Sequence, residues 1–224
     1  MRENKRIYIA TPSYTGHRED FERVCFNKMC DFPSDIYEIV KNVIFPGGSL
    51  ISGIRRYFMR EFFKTNATHL LFIDADIAIL EPDTLEKLAL HDKDIVSTVF
   101  TTKTLPLGLV YSPYHGDEAD LKHLESGKLF TVDTVGMGCM LIERHCLQRI
   151  EKYAHSRNQM CFQPMMYNGE YEGEDGAFCR RAGQLGYKIW VDPSIIIGHC
   201  GIYPFCKLDY IEYFKTSKHG IMKK

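Results

Sequence analysis

Short apolar runs along the chain alternate with stretches whose apolar residues recur at helical spacing. Ile7 to Ala10 is an apolar run that stops at Thr11-Pro12-Ser13-Tyr14-Thr15-Gly16, the pattern of a strand ending in a turn. Residues 18–31 predict a helix, with Phe21, Val24, Cys25, Lys28 and Met29 at helical spacing. Ile36 to Phe45 predicts a second strand, closed by Pro46-Gly47-Gly48. Ser49 is placed to cap a helix over 50–63 whose apolar face is Leu50, Ile54, Tyr57, Phe58 and Phe62. His69 to Ile73 predicts a third strand, buried on both faces, and Asp74-Ala75-Asp76 follows it directly. A short helix (83–90) and a strand from Ile95 to Phe100 complete this half.

Strands alternating with helices predict an α/β fold around a mainly parallel sheet. Ligands of such sheets bind outside the carboxyl ends of the strands. Thr11 to Gly16 and Asp74 to Asp76 both lie at such ends and are expected to face one crevice. The second half is less regular. Residues 101–128 read as loops, and Val132 to Ile142 holds Gly136-Met137-Gly138 and then an apolar strand. Residues 143–153 predict a helix, and residues 154–173 a long polar and aromatic loop of the kind that is functional or mobile. Glu174-Asp175 opens a helix that ends near Gly186. Tyr187 to Val191 predicts a strand, and Ile195-Ile196-Ile197 another apolar run before Gly198-His199-Cys200-Gly201. No repeat, low-complexity segment or linker composition interrupts the chain, which predicts a single domain over 1–224.

Composition narrows the partners. The chain carries 28 Lys and Arg against 29 Asp and Glu, a net charge of -1, which is no electrostatic footprint for nucleic acid. An anionic ligand must therefore be held by a local site. None of the 8 cysteines forms a C-x-x-C pair, so no zinc ribbon or thioredoxin motif is present. Most sit in apolar runs, as buried thiols do, which predicts a reducing, cytoplasmic compartment. The charged start, Met1 to Arg6, is not that of a signal peptide, and no apolar run approaches the ~20 residues needed to span a bilayer.

Three features carry candidate chemistry. Asp74 and Asp76, two apart at a strand end, can converge on one hard divalent cation, Mg²⁺ or Mn²⁺, which keeps positions for substrate phosphates. A lone D-x-D is a weak signal, and Asp92-Lys93-Asp94 is a second one that reads as a solvated turn. The first follows consecutive apolar residues, where two carboxylates without a partner are costly. His199 lies between glycines that let backbone approach a ligand, and an imidazole beside carboxylates favours Mn²⁺ over Mg²⁺. Glu174-Asp175 reads two ways: as helix cap and first-turn acids, or as a general base at the mouth of the crevice.

In order, the pieces are Thr11-Pro12-Ser13-Tyr14, Ser52-Gly53-Ile54-Arg55-Arg56, Thr68 to Asp76, Val135-Gly136-Met137-Gly138-Cys139 to Ile142, Gly173-Glu174-Asp175-Gly176 to Arg181, and Gly186 through Gly201. This series resembles the small GT-A-fold nucleotide-sugar glycosyltransferases of viruses, phages and bacteria, including the single-domain type that glycosylates capsid protein. The resemblance implies a Rossmann-like α/β/α sandwich with a mixed, mainly parallel sheet. Residues 1–100 would form the nucleotide-sugar half and 101–224 the acceptor half. It implies transfer of a sugar from a nucleoside-diphosphate sugar, by default a UDP-sugar, to a hydroxyl of a glycan or glycoprotein acceptor. Asp76 and His199 would be metal ligands, with Asp74 on the metal, the ribose or the sugar. Thr11, Pro12 and Tyr14 would hold base and ribose, and Arg55 and Ala75 would contact the donor. Gly136 and Gly138 would leave room for its sugar. Asp175, or else Glu174, would deprotonate the acceptor in an inverting reaction; in a retaining one Asp175 would bind acceptor or sugar instead.

Tyr153, Phe162, Tyr167 and Tyr171 could stack on sugar faces or pack on the domain. The tail beyond 205 carries Lys207, Lys215, Lys218, Lys223 and Lys224 among Tyr210, Tyr213 and Phe214, which suits either a peripheral membrane contact or a solvated face. Two rival readings remain open: a phosphatase or phosphotransferase with an aspartate nucleophile, and a non-catalytic sugar-nucleotide-binding module.

Overall fold

A computed structural model describes residues 4–13, 26–48, 50–113, 115–201 and 204–220. The strands are β1 (Lys5–Ser13), β2 (Tyr37–Pro46), β3 (His69–Ile73), β4 (Ile77–Ile79), β5 (Ile95–Thr98), β6 (Tyr111–Ser112), β7 (Phe130–Val132), β8 (Thr134–Val135), β9 (Cys139–Glu143), β10 (Met165–Tyr167), β11 (Glu170–Glu172), β12 (Ile189–Asp192), β13 (Ile197–Cys200) and β14 (Pro204–Cys206). The helices are α1 (Ile51–Phe63), α2 (Thr84–Leu90), α3 (Glu118–Ser126), α4 (Arg144–His155), α5 (Glu174–Gln184) and α6 (Lys207–Gly220); residues 26–30 are also helical.

A seven-stranded sheet in the order β2-β1-β3-β9-β5-β12-β7 forms the centre. β1, β2, β3, β5 and β12 run one way, and β9 and β7 run against them. The strand period of two sorts the side chains into two cores. Tyr8, Ala10, Leu70, Phe72, Met140 and Ile142 face one side, where α1, α4, α5 and α6 cover them. Ile7, Ile9, Leu71, Ile73, Cys139 and Leu141 face the other, under α2, residues 26–30 and β4. Every residue of β3 is buried because both faces are covered, as its unbroken apolar run predicts.

The structure departs from the sequence reading in two places. Residues 101–128 are not all loop: α3 starts in a capping box, with Asp117 accepting from the backbone of Ala119 and Asp120. In 132–142 the apolar strand expected after Gly136-Met137-Gly138 is β9, and the residues before the glycines add β8, which pairs with β6. The long loop 154–173 contains the β10–β11 hairpin, turned at Asn168 and Gly169, both with positive φ. The 18–31 helix is described only over 26–30, and Ser49 lies outside the described residues.

Candidate functional site

The Asp74-Ala75-Asp76 turn is pinned by backbone hydrogen bonds. The Asp74 N–H donates to the Gly138 carbonyl (2.9 Å), Ala75 to Pro12 (3.2 Å), and Ile77 back to Asp74 (3.1 Å). The end of β1, the end of β3 and the turn before β9 therefore meet at one place, as the crevice argument expects. Thr11 and Pro12 are buried there and support the turn; Tyr14 lies outside the described residues.

Strand register explains why His199 joins this turn. β13 pairs antiparallel with β4, with His199 opposite Ile77 and Gly198 opposite Ala78. The Cys200 N–H donates to the Asp76 carbonyl at 2.7 Å. His199 Nε2 consequently stands 3.8 Å from Asp76 Oδ2. Its Nδ1 lies 2.7 Å from the Thr101 carbonyl, which only an Nδ1–H can satisfy, so Nε2 keeps its lone pair when the ring is neutral. Burial holds the ring below the usual histidine range. Phe100 packs edge-on against it, 5.1 Å between centroids.

Asp74 takes a different partner. Arg55 donates to both of its oxygens, at 3.0 and 3.1 Å. Arg55 is 1% exposed because it lies on the buried stripe of α1 with Ser52, Phe58, Met59 and Phe62. It also approaches Glu174 (3.7 Å) and Asp175 (3.3 Å). A buried guanidinium must be paired, and Arg55, expected to contact the donor, is paired to the site's own carboxylates. Burial opposes its charge, but Asp74, Asp175 and Glu174 outweigh that and hold its pKa above the ordinary value.

Neither acid of α5 is its cap. The N-cap is Gly173, without a side-chain hydrogen bond, and Glu174 and Asp175 occupy the first turn facing Arg55. Burial raises the Asp175 pKa to about 6; Arg55 opposes this, Glu174 adds to it, and a backbone hydrogen bond from Met137 lowers it. Burial likewise raises Asp74, Arg55 opposing.

Asp76 and Asp74 thus point to different partners, and among the described residues no three His, Cys, Asp or Glu side chains form a metal-holding cluster. The donor set that does fit a divalent cation is smaller than the expected trio: the Asp76 carboxylate and His199 Nε2. Their 3.8 Å separation is spanned by two bonds of about 2.1 Å to one ion. Lys103, which the sequence reading did not single out, places its Nζ on Asp76 Oδ2.

Gly136 and Gly138 are small for a packing reason. A Cβ on Gly136 would meet Phe100 Cζ at 2.5 Å, and one on Gly138 would meet Ile77 and Phe100 at 3.0 Å. The space that a Cβ would take at each is filled by the chain's own side chains. Phe162 is fully buried against Phe72 and Phe178, and Tyr167 lies under the Arg180 guanidinium. Tyr153 hydrogen-bonds Gln184, while Tyr171 is exposed. The second D-x-D is a surface turn: Asp92 has positive φ and pairs with Lys5. No described helix is long and apolar enough to cross a membrane.

No family model matches the chain, and no curated protein does. Among solved structures, A197 from STIV is similar over 88% of this chain and 86% of that one, at 17% identity and a TM-score of 0.56. GalNAc-T7, crystallised with UDP, GalNAc and Mn²⁺, is similar over 88% of this chain and 44% of its own, at 11% identity and a TM-score of 0.46. At these identities the likeness concerns architecture alone, and the architecture is a GT-A-type α/β fold with a mixed, mostly parallel central sheet.

Proposed function

We propose that the chain is a metal-dependent glycosyltransferase that moves a sugar from a nucleoside-diphosphate sugar, with UDP the first candidate, to a hydroxyl of a glycan or glycoprotein. The observation that carries this reading is a division of labour among acids at the strand ends. Asp76 stands with His199, while Asp74, Glu174 and Asp175 gather around the buried Arg55. One group suits a cation and the other a hydroxyl with its base.

Asp76 and His199 would hold the ion, Mn²⁺ or Mg²⁺. When bound, it supplies Lewis-acid stabilisation of the negative charge on the departing diphosphate. Asp74 keeps lone pairs beyond those given to Arg55 and can accept from a donor hydroxyl. Asp175, raised toward neutrality, accepts the acceptor's proton at its carboxylate. Arg55 holds Asp74 and Asp175 in fixed relation, which is positioning rather than contact with substrate.

An aspartate-nucleophile phosphatase is disfavoured by the same geometry. Its first aspartate must attack, and here Asp74 has both oxygens tied to Arg55. The test is thermal stabilisation by nucleoside diphosphates with and without Mn²⁺. A ligand at 100 times its Kd adds about 2.7 kcal/mol. We expect a shift with one diphosphate only when Mn²⁺ is present, and none for Asp76→Ala, which should fold normally. Stabilisation that survives Asp76→Ala with its Mn²⁺ dependence intact would overturn the assignment.

A further inference from the structure

Lys103 has no part in the reaction just described, and it sits where the cation should go. Its Nζ bonds Asp76 Oδ2, the same oxygen that stands 3.8 Å from His199 Nε2. The segment that delivers it also prepares the histidine, since the Thr101 carbonyl two residues earlier fixes His199 Nδ1. Beyond Lys103 the loop is closed on itself. Thr102 N–H donates to the Gly108 carbonyl, Gly108 N–H donates to Thr102 Oγ1, and Thr102 Oγ1 donates to the Thr104 carbonyl. The base of the lysine is thereby fixed while its ammonium is not enclosed. The Lys103 side chain is 35% exposed and Asp76 42%. The lysine stem runs alongside Gly201, where a Cβ would lie 3.4 Å from Lys103 Cβ.

An ammonium is a compact point charge on a flexible four-carbon stem. It satisfies a carboxylate well but competes with a divalent cation for that oxygen, because the two positive charges repel at close range. Resting on the cation-site reading above, we propose that Lys103 is a resident counter-cation. It holds Asp76 until a divalent cation displaces it, and then pairs with the donor's diphosphate. The metal and the lysine are competitors for Asp76 and partners on the diphosphate. The lysine thus sets the order of binding: it weakens the metal alone and strengthens the metal with nucleotide.

Lys103→Met keeps most of the stem and removes the charge. Its two expected effects have opposite signs, which a loss of packing would not produce. Mn²⁺ alone, titrated by electron paramagnetic resonance, should bind Lys103→Met about threefold tighter than wild type, the worth of one half-exposed charge pair. With Mn²⁺ saturating, the nucleoside diphosphate that binds wild type best among UDP, GDP, ADP, CDP and dTDP should bind the variant about tenfold weaker by calorimetry. Lys103→Arg should restore most of the diphosphate affinity. Equal or weaker Mn²⁺ binding by Lys103→Met, with Asp76→Ala still abolishing it, overturns the competition while the cation site stands. Undiminished diphosphate affinity overturns the hand-over. Mn²⁺ binding that is absent from wild type and Lys103→Met alike, or that survives Asp76→Ala, removes the cation site and this proposal together.

Discussion

Arg55 brings one positive charge to three carboxylates, so the acids around it are under-compensated. The consequence falls on Asp175, whose pKa rises from 3.8 to about 6, burial being the first cause. A group whose folded pKa is raised gives its full stabilisation below the unfolded value and loses it as pH climbs through the folded one. For Asp175 that window runs from about pH 4 to pH 6. Asp175→Asn mimics the protonated form at every pH. Its melting temperature should approach that of wild type as the pH falls below about 4 and exceed it at pH 8, while turnover falls roughly 10²–10⁴-fold through loss of a general base. Wild-type turnover should rise through pH 6. A variant less stable than wild type at both pH values would mean that pairing with Arg55 outweighs burial, and the base assignment would lose its physical ground. The sequence offered a signal for Arg55 that motif reading passed over. Positions 52, 55, 59 and 62 form one helical stripe, and a charged residue on a buried stripe needs an internal partner.

At the scale of elements, the turn from β8 to β9 is set by how closely it approaches Phe100. Gly136→Ala would place a methyl 2.5 Å from Phe100 Cζ. Phe100 is buried and packs edge-on against His199, so its ring cannot yield freely. Overpacking of this kind costs about 1–3 kcal/mol, and urea unfolding of Gly136→Ala should show it. Phe100→Leu in the same background should recover part of the loss, giving a coupling in the double-mutant cycle; a neutral Gly136→Ala would contradict the packing account. Elements that run as one pattern were legible in the sequence. β3 and α1 match their expected bounds within a residue or two, but the buried face of α1 is turned from the expected one: Leu50 and Tyr57 are exposed, and Ser52, Arg55 and Met59 are buried beside Ile54, Phe58 and Phe62. The elements missed are those whose signal is a cap or a turn. α3 has few buried residues, Asp120 and Leu124, and is announced mainly by its capping box. The β10–β11 hairpin is three residues a side around Asn168-Gly169. Placing His199 beside Asp76 needed the β4–β13 register, which no local pattern encodes.

For the whole molecule, the C-terminal segment decides whether the larger core is closed. By sequence its lysines and aromatics suit either a peripheral membrane contact or a solvated face; in the fold the aromatics pack toward the core. Tyr210 is 1% exposed within the core shared by α1, α4 and α5, and Ile211, Tyr213 and Phe214 pack against its edge. Lys207 is buried, with Nζ on the Pro193 carbonyl, and Lys215 pairs with Glu125, so neither adds to a free basic face. The segment also matters to the site, since β14, which leads into α6, pairs with β13 along the residue that carries His199. Tyr210→Ala should therefore behave as a core truncation. Removing a buried ring of this size costs about 3–5 kcal/mol. In a chain of this length each kcal/mol moves the melting temperature by about 2–4 °C, so a fall of about 10 °C is expected in a calorimetric scan. If the helix were a solvated or membrane-facing appendage, the same substitution would leave the melting temperature unchanged. The proposed metal site gives a second reading of the experiment. Loosening α6 should weaken Mn²⁺ binding through β14 and β13, whereas an appendage would leave it untouched.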